Sequence, residues 1–452
     1  MGTKLRFRDR LGYGLGDFGS QFAFFIVNTY FMIFMTDVMG IANTTAGAVY
    51  AIVMIFDAIN DPIIGNMADR SKTTKMGKYR RWVTIGAPFY AVCMWLSFLN
   101  PDWGMGGKVA WAIIIHMLYS VAATAWQVPY GSLPNRMTAN ANERVVLGTF
   151  RDWFANLAKF AIGYVGVLLI TVFAGKDGGN AGYFGMAGVC ALICVIFTLV
   201  AGFSSKEEVD MGVATEGEKV SLMLGLKTVF RNKPALLIMF VAFLATVALN
   251  FKSAVTPYYA AYVLGNPALA GTILPLIFTL PLLFGLLVPT LVKKMGEKNV
   301  FILSMVAAGL SGVISLLGSS MPMIIIASLL MSIMAAFLPP TLWGVLPGLT
   351  DYGEWKYGVS CPGSYYAVNA FFIKCSTGLS GLMIGWALAM GGYDAALPVQ
   401  PESALTSISL WHGLVPIICC VISVVCMLFY KLKKEDLEIV QKELAERRTQ
   451  VK

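Results

Sequence analysis

Residues 56–70 read FDAINDPIIGNMADR, and they place Asp57, Asn60 and Asp61 inside an otherwise apolar run. On a helix turning about 100° per residue, Asp57 and Asp61 lie roughly 40° apart, with Asn60 roughly 60° to the other side of Asp57. The three side chains therefore share one oxygen-rich patch. Hard cations take oxygen ligands. Two carboxylates this close repel, so one holds a proton unless a cation sits between them. The expected chemistry is binding of a small cation or a proton. The competing reading is a structural pair neutralised by a base on another helix, and Lys374, in the apolar stretch NAFFIKCSTG, is the candidate.

The elements that carry this patch belong in a bilayer. Only 13% of the 452 residues are charged and the mean hydropathy is +0.69, whereas soluble domains carry about 25% charged residues. Stretches such as PALLIMFVAFLATVAL are apolar on every face, as lipid-embedded or deeply buried helices are. Spans need about 20 such residues. Twelve runs qualify, at roughly 11–38, 44–67, 82–100, 108–134, 146–174, 182–203, 234–264, 268–292, 299–318, 321–349, 362–391 and 408–431. An all-α polytopic membrane protein follows. The opening MGTKLRFRDR leads into a run too long for a cleavable signal. Eight cysteines show no CxxC pair, and the two histidines are isolated, so neither zinc nor a disulfide framework is suggested. A membrane enzyme would need a nucleophile–base set or metal ligands that these residues do not offer, and no cofactor is expected beyond a coupling ion.

Basic residues orient the chain. Loops on the side of the termini hold 28 Lys and Arg, against Lys108 and Lys176 on the other side. Both termini are therefore expected in the cytoplasm. The net charge of +9 is accounted for by this asymmetry and calls for no nucleic-acid partner. Four basic residues stay within spans: Arg151, Lys159, Lys252 and Lys374. The domain reading is a six-helix bundle over 1–203, a cytoplasmic loop over 204–233, a second six-helix bundle over 234–431 and a charged tail over 432–452. Two six-helix halves around a midplane site are the architecture of major facilitator transporters. The loop GNMADRSKTTKMGKYRR, with Asp69 and its basic cluster, resembles the loop signature of that superfamily.

Several stretches together resemble the glycoside–pentoside–hexuronide:cation symporters over nearly the whole chain. They are YGLGDFG (13–19), TDVMGI (36–41), FDAINDPIIG (56–65), TAWQVPYGSL (124–133), DYGEWKYG (351–358) and Lys374. The resemblance implies a coupled sugar symporter of the major facilitator fold. It maps the cation site onto Asp57, Asn60, Asp61 and Thr124, which favours Na⁺, with Li⁺ plausible and H⁺ as the competitor. The sugar positions depart from the melibiose-type pattern, in which aspartates on the first and fourth helices bind hydroxyls. Gln21 and Gln127 stand there, with Ser20 in place of a lysine and Gly131 in place of a stacking tryptophan. Trp126 remains as a π-face for a sugar ring, Arg151 matches a sugar-contacting arginine, and Asp152 is its neighbour. Tyr366, Asn369 and Asn250 fall near family polar positions, with Asn369 where a glutamine is usual.

Lys252 is the least expected residue. It lies about 18 Å from its helix end at 1.5 Å per residue, too deep to snorkel easily. Losing two acids and gaining a lysine makes an electropositive cavity, so the expected substrate is an acidic sugar or its glycoside, a hexuronide first. In the competing reading Lys252 pairs with an internal acid such as Asp17, or packs against protein away from the cavity. Asn250 lies about 200° from Lys252 on an ideal helix, so the two share one cavity only if the helix deforms near Pro257. Asp17 is assigned to substrate or gate, and Asp37 to an outer gate. DYGEWKYG is read as a cytoplasmic gate between helices, with Asp351 and Glu354 pairing across the halves with Arg80, Arg81 and Arg144. The alternatives are a symporter of a neutral pentoside or disaccharide, or a sodium-coupled lysolipid-type carrier on the same fold. The expected partners are a small sugar, the coupling cation and the lipid bilayer. The expected setting is a bacterial inner membrane, with the protein a monomer.

Overall fold

The structure, a computed structural model, describes residues 5–138, 141–174, 179–207, 222–359, 361–397, 399–432, 436–437, 439–440, 442–444 and 446. Residues 208–221 of the expected central loop, most of the charged tail, and Lys176 lie outside the described residues. Among the described residues, twelve long helices make up the bundle. The first six are α1 (Phe7–Ile33), α2 (Asn43–Arg70), α3 (Tyr79–Leu96), α4 (Met105–Met137), α5 (Ala141–Ala174) and α6 (Asn180–Ser204). The second six are α7 (Lys233–Tyr258), α8 (Ala270–Phe284), α9 (Glu297–Leu317), α10 (Met321–Tyr357), α11 (Pro362–Gly391) and α12 (Glu402–Leu428). Eleven of these, counted among the described residues, are long and apolar enough to cross a membrane by length and composition. The twelfth, α3, is packed into the same bundle between α4 and α6.

The two halves pack alike. In the first, α1 lies on α5 and α6, α2 on α4, α3 on α4 and α6, and α5 on α6. Adding six to each number reproduces the second: α7 on α11 and α12, α8 on α10, α9 on α10 and α12, and α11 on α12. Even the helix ends repeat, since α1 and α7 both finish in a π-helical turn, at Phe34–Val38 and Tyr259–Val263. The halves meet through α2–α11 and α5–α8, which exchange under this relation, and through α1–α7. This is the twelve-helix major facilitator fold.

Glycine permits the closest of these crossings. A Cβ on Gly385 would come within 3.0 Å of Gly47 Cα and 2.4 Å of Asn43 O, so α11 and α2 touch backbone to backbone there. At Gly163 a Cβ would meet Pro275 of α8 at 2.9 Å. Without a hydrophobic drive between helices in lipid, such small-residue contacts let dispersion hold the halves together.

One expectation about local structure fails. The stretch DYGEWKYG was read as a loop, but α10 continues through it to Tyr357 and ends on left-handed Gly358. Asp351 and Glu354 therefore ride on the last turns of a helix. The residues Asp, Glu, Trp and Lys form helix well enough to extend it past the apolar span, and glycine supplies the stop.

Candidate functional site

The acidic patch of α2 faces α4. Asp57 accepts a short hydrogen bond from Ser120 Oγ, and Asp61 Oδ1 accepts one from Thr124 Oγ1 at 2.7 Å. Two carboxylates four residues apart on one helix thus meet two hydroxyls four residues apart on the next. Lys374 reaches in from α11 of the other half. Its Nζ lies 2.5 Å from Asp61 Oδ2 and 3.9 Å from Asp57 Oδ2, and donates to Thr124 Oγ1 at 3.2 Å. The ammonium sits among carboxylate and hydroxyl oxygens, the kind of donor that hard cations take. Asn60 stands beside them with its buried Nδ2 making no hydrogen bond in the structure. The patch opens on a hollow of about 90 Å³ lined by Asp57, Ser120, Gln127, Lys374, Asn28 and Thr377.

A polar chain ties three helices together next to this hollow. Asn28 Nδ2 of α1 donates to Asn250 Oδ1 of α7 at 3.3 Å, and Asn250 Nδ2 donates to Thr377 Oγ1 of α11 at 3.0 Å. Thr377 is one turn from Lys374. Asn250 is thus placed at the interface of the halves.

Lys252 is not. Its side chain is fully buried, and Nζ donates to Ser311 Oγ at 2.7 Å and Ser315 Oγ at 3.1 Å, both on α9. The expectation that it faces the substrate is corrected. Asn250 takes the face of α7 that looks across the halves, so Lys252, far round the helix, points into the second half instead. Trp126 is corrected likewise. It is wholly buried, stacked 4.4 Å from Tyr130 and 6.2 Å from Tyr90 in the first half, with no face left for a sugar.

The remaining sequence candidates fall into two groups. Arg151 Nε holds Asp17 Oδ2 at 2.5 Å and lies over the Tyr130 ring at 5.2 Å, while Ser20 Oγ donates to Asp17 Oδ1 at 3.1 Å. Gln21 sits near by in sequence with its buried Oε1 making no hydrogen bond. Asp152 lines a second hollow of about 290 Å³ between α5, α8 and α10, together with Asn156 and Lys159. These three lie at i, i+4 and i+7 on α5, one face of the helix. Tyr366 is stacked 6.2 Å from Trp343 of α10, and Asn369 is buried with both polar side-chain atoms unbonded in the structure.

Asp37 joins the halves at the end away from the termini. Tyr262 Oη donates to its Oδ2 at 2.6 Å, Tyr393 Oη to its Oδ1 at 2.7 Å, and the neighbouring Thr36 hydroxyl meets Tyr258 Oη at 2.7 Å. At the opposite end the expected pairing of the basic loops with the other half is corrected for two residues. Arg80 donates to the carbonyls of Gly202 at 2.6 Å and Phe203 at 3.0 Å, at the open end of α6, and Arg144 donates to Thr138 O at 3.0 Å. Helix ends leave carbonyls without intrahelical partners, and Arg80 satisfies those of its own half. Arg81 is exposed.

Sequence reasoning passed over Ser120, although its spacing of four before Thr124 repeats that of Asp57 and Asp61. It also passed over Asn28, Thr377, Asn156 and Lys159 as site residues. Lys159 was visible as a charge inside a span.

Known proteins of this pattern are numerous. The chain is 31% identical to the isoprimeverose transporter of Lactiplantibacillus pentosus, over 94% of this chain and 89% of that protein. It is 28% identical to the putative glycoside/cation symporter YagG of Escherichia coli K12, over 99% and 96%. Among solved structures it is similar to a D-xylose–proton symporter, with a TM-score of 0.67 at 15% identity, covering 94% of this chain and 98% of that one. Residues 12–434 match the family described as MFS/sugar transport protein. By that match the chain belongs to the sugar transport proteins of the major facilitator superfamily, among the glycoside/cation symporters it resembles.

Proposed function

We propose that the protein couples entry of a cation, Na⁺ in preference to H⁺, to entry of a sugar or glycoside by alternating access. The observation that carries this reading is the bridge from Lys374 to Asp61 and Asp57. It crosses from α11 of one half to α2 of the other, so it holds the halves together through a charge that a small cation can replace. A cation bound by Asp57, Asn60, Asp61, Thr124 and Ser120 displaces the ammonium and releases the bridge. Lys374 then turns away from the carboxylates towards Gln127, with which it lines the adjoining hollow. Linkage makes the coupling reciprocal: sugar tightens cation binding by the factor with which the cation tightens sugar binding.

With the termini in the cytoplasm, the Asp37 cluster closes the outer end. The setting is the inner membrane of a bacterium. Asp17 and Arg151 order the wall next to the sugar, and Asp152 and Asn156 accept and donate to its hydroxyls.

An acidic sugar, a hexuronide first, remains our preferred substrate, but Lys252 no longer supports it. The support passes to Lys159, which faces the α5–α8–α10 hollow with its ammonium 5.6 Å over the Phe278 ring and no ion pair among the described residues. A hollow of about 290 Å³ is near the lower end of ligand cavities, ~300–1,000 Å³, and suits one sugar ring. The test is uptake into proteoliposomes of labelled methyl glucuronide and methyl glucoside, with and without an inward Na⁺ gradient. Sodium-driven uptake of the glucuronide in excess of the glucoside is expected. Preference for the glucoside removes the acidic-sugar reading, and uptake of neither under any cation gradient removes the sugar-symport reading.

A further inference from the structure

A third hollow, of about 420 Å³, lies outside the transport path at the end of the second half that carries the chain terminus. Four cations line it from separate elements: Arg231 before α7, Lys233 at its start, Lys356 on the last turn of α10, and Lys431 after α12. Tyrosines rather than carboxylates steady two of them. Arg231 lies 5.5 Å over the Tyr357 ring, whose hydroxyl donates to Arg231 O at 2.7 Å. Lys356 Nζ lies 5.3 Å over the Tyr352 ring and donates to its hydroxyl at 3.1 Å. Among the described residues none of the four cations is in an ion pair, and Asp436 is the one acid in the lining. A concavity with this balance attracts an anion presenting several acceptor oxygens, and phosphate fits both the planar fork of arginine and the point charges of lysine.

The surroundings of the hollow say which phosphate. Leu428 and Phe429, 65% and 67% exposed, end the apolar surface of α12 immediately before Lys431. The short helix Leu222–Arg231 exposes Met223 and Phe230, at 74% and 59%, immediately before Arg231 and Lys233. Apolar side chains exposed to this degree next to cations mark the level where acyl chains give way to headgroups. Basic pockets beside spans at this level hold anionic headgroups. We infer that Arg231, Lys233, Lys356 and Lys431 form a binding site for the phosphate of an anionic phospholipid, with its acyl chains lying along Leu428 and Phe429. The site joins the segment entering α7 to the ends of α10 and α12, so an occupied site braces these three elements of the second half against one another.

The test uses the full chain purified in detergent and its melting temperature with added phosphatidylglycerol, phosphatidylcholine or inorganic phosphate. Phosphatidylglycerol is expected to raise the melting temperature by about 2 °C or more over phosphatidylcholine, and to do so saturably. The double variant Lys356→Gln, Lys431→Gln is expected to abolish that difference. Lys72→Gln with Lys75→Gln, which removes two exposed charges of the first half, is expected to keep it. Equal shifts from both lipids overturn the inference, as does a phosphatidylglycerol shift that survives in the Lys356 and Lys431 variant. A shift of the same size from inorganic phosphate alone overturns the assignment to lipid. If the double variant does not fold, Arg231→Gln alone replaces it, with the same expected loss and the same overturning result.

Discussion

Lys374 Nζ lies 2.5 Å from Asp61 Oδ2, and the two residues belong to opposite halves of the molecule. The pair is half open to the hollow beside it, with 34% and 27% of the two side chains exposed, so a solute ion can reach it. In the proposed cycle this ion pair is a lock that a cation opens. It also explains how a lysine persists deep in a span, where an unpaired one costs roughly 2.5–3.5 kcal/mol to insert.

Lys374→Met removes the internal competitor for the carboxylates. The empty form then carries two uncompensated acids, so its melting temperature falls in the absence of Na⁺. The rise on adding Na⁺ becomes larger than in the native chain, and half of it is reached at a lower concentration. Thermal melting across a sodium titration reads both effects. A variant whose melting no longer responds to Na⁺ would mean that Lys374 helps to hold the ion rather than standing in for it.

Ser120→Ala deletes the hydroxyl on Asp57, which sequence reasoning overlooked. A hydrogen bond to a charged group contributes about 1.5–3 kcal/mol, so sodium affinity is expected to drop by about tenfold or more, and Thr124→Ala by a similar factor. Sodium dependence of sugar uptake measures this. An unchanged half-saturating sodium concentration in Ser120→Ala would remove Ser120 from the site.

The fold was legible in the sequence because lipid imposes a strict rule: every span must be apolar, about 20 residues long and hydrogen-bonded within itself. The acidic patch was legible for the related reason that Asp57 and Asp61 break that rule on a single helical face. The substrate side was less so. Both lysines of interest lie inside spans, and nothing local distinguishes Lys252, which turns to Ser311 and Ser315 inside one half, from Lys159, which faces a hollow. Which way a helix is rotated depends on the helices packed around it. Trp126 misled for the same reason, since its burial follows from Tyr90 and Tyr130 on either side. The helical run through Asp351 and Glu354 was missed because polar residues after an apolar span read as a loop when only hydropathy is followed.

Asp37→Asn weakens the closed end. The carboxylate accepts hydrogen bonds from Tyr262 and Tyr393 of the other half. An amide accepts less strongly and presents a donor to one of them, at a cost of about 1–3 kcal/mol. The population open at that end is expected to rise. A cysteine introduced at Ala254, beside the polar chain of Asn28 and Asn250, reports it through faster labelling by a membrane-impermeant maleimide from outside. Equal labelling rates with and without Asp37→Asn would show that the contact does not hold the gate.

Asp17→Asn leaves Arg151 without its partner at 2.5 Å. Breaking such a pair from one side costs up to about 3–5 kcal/mol when fully buried, and less here because Arg151 is 36% exposed. Sugar uptake is expected to fall steeply while the sodium-induced rise in melting temperature is kept. The reversed pair, Asp17→Arg with Arg151→Asp, is expected to recover part of the uptake. Loss of the sodium response in Asp17→Asn would place this pair in the cation site instead.

The most direct measurement is concentrative uptake in membrane vesicles by the double variant Asp57→Asn, Asp61→Asn under an inward sodium gradient. The account predicts that labelled sugar equilibrates across the membrane but does not accumulate above its outside concentration. Accumulation at the native level, still driven by sodium, would contradict it.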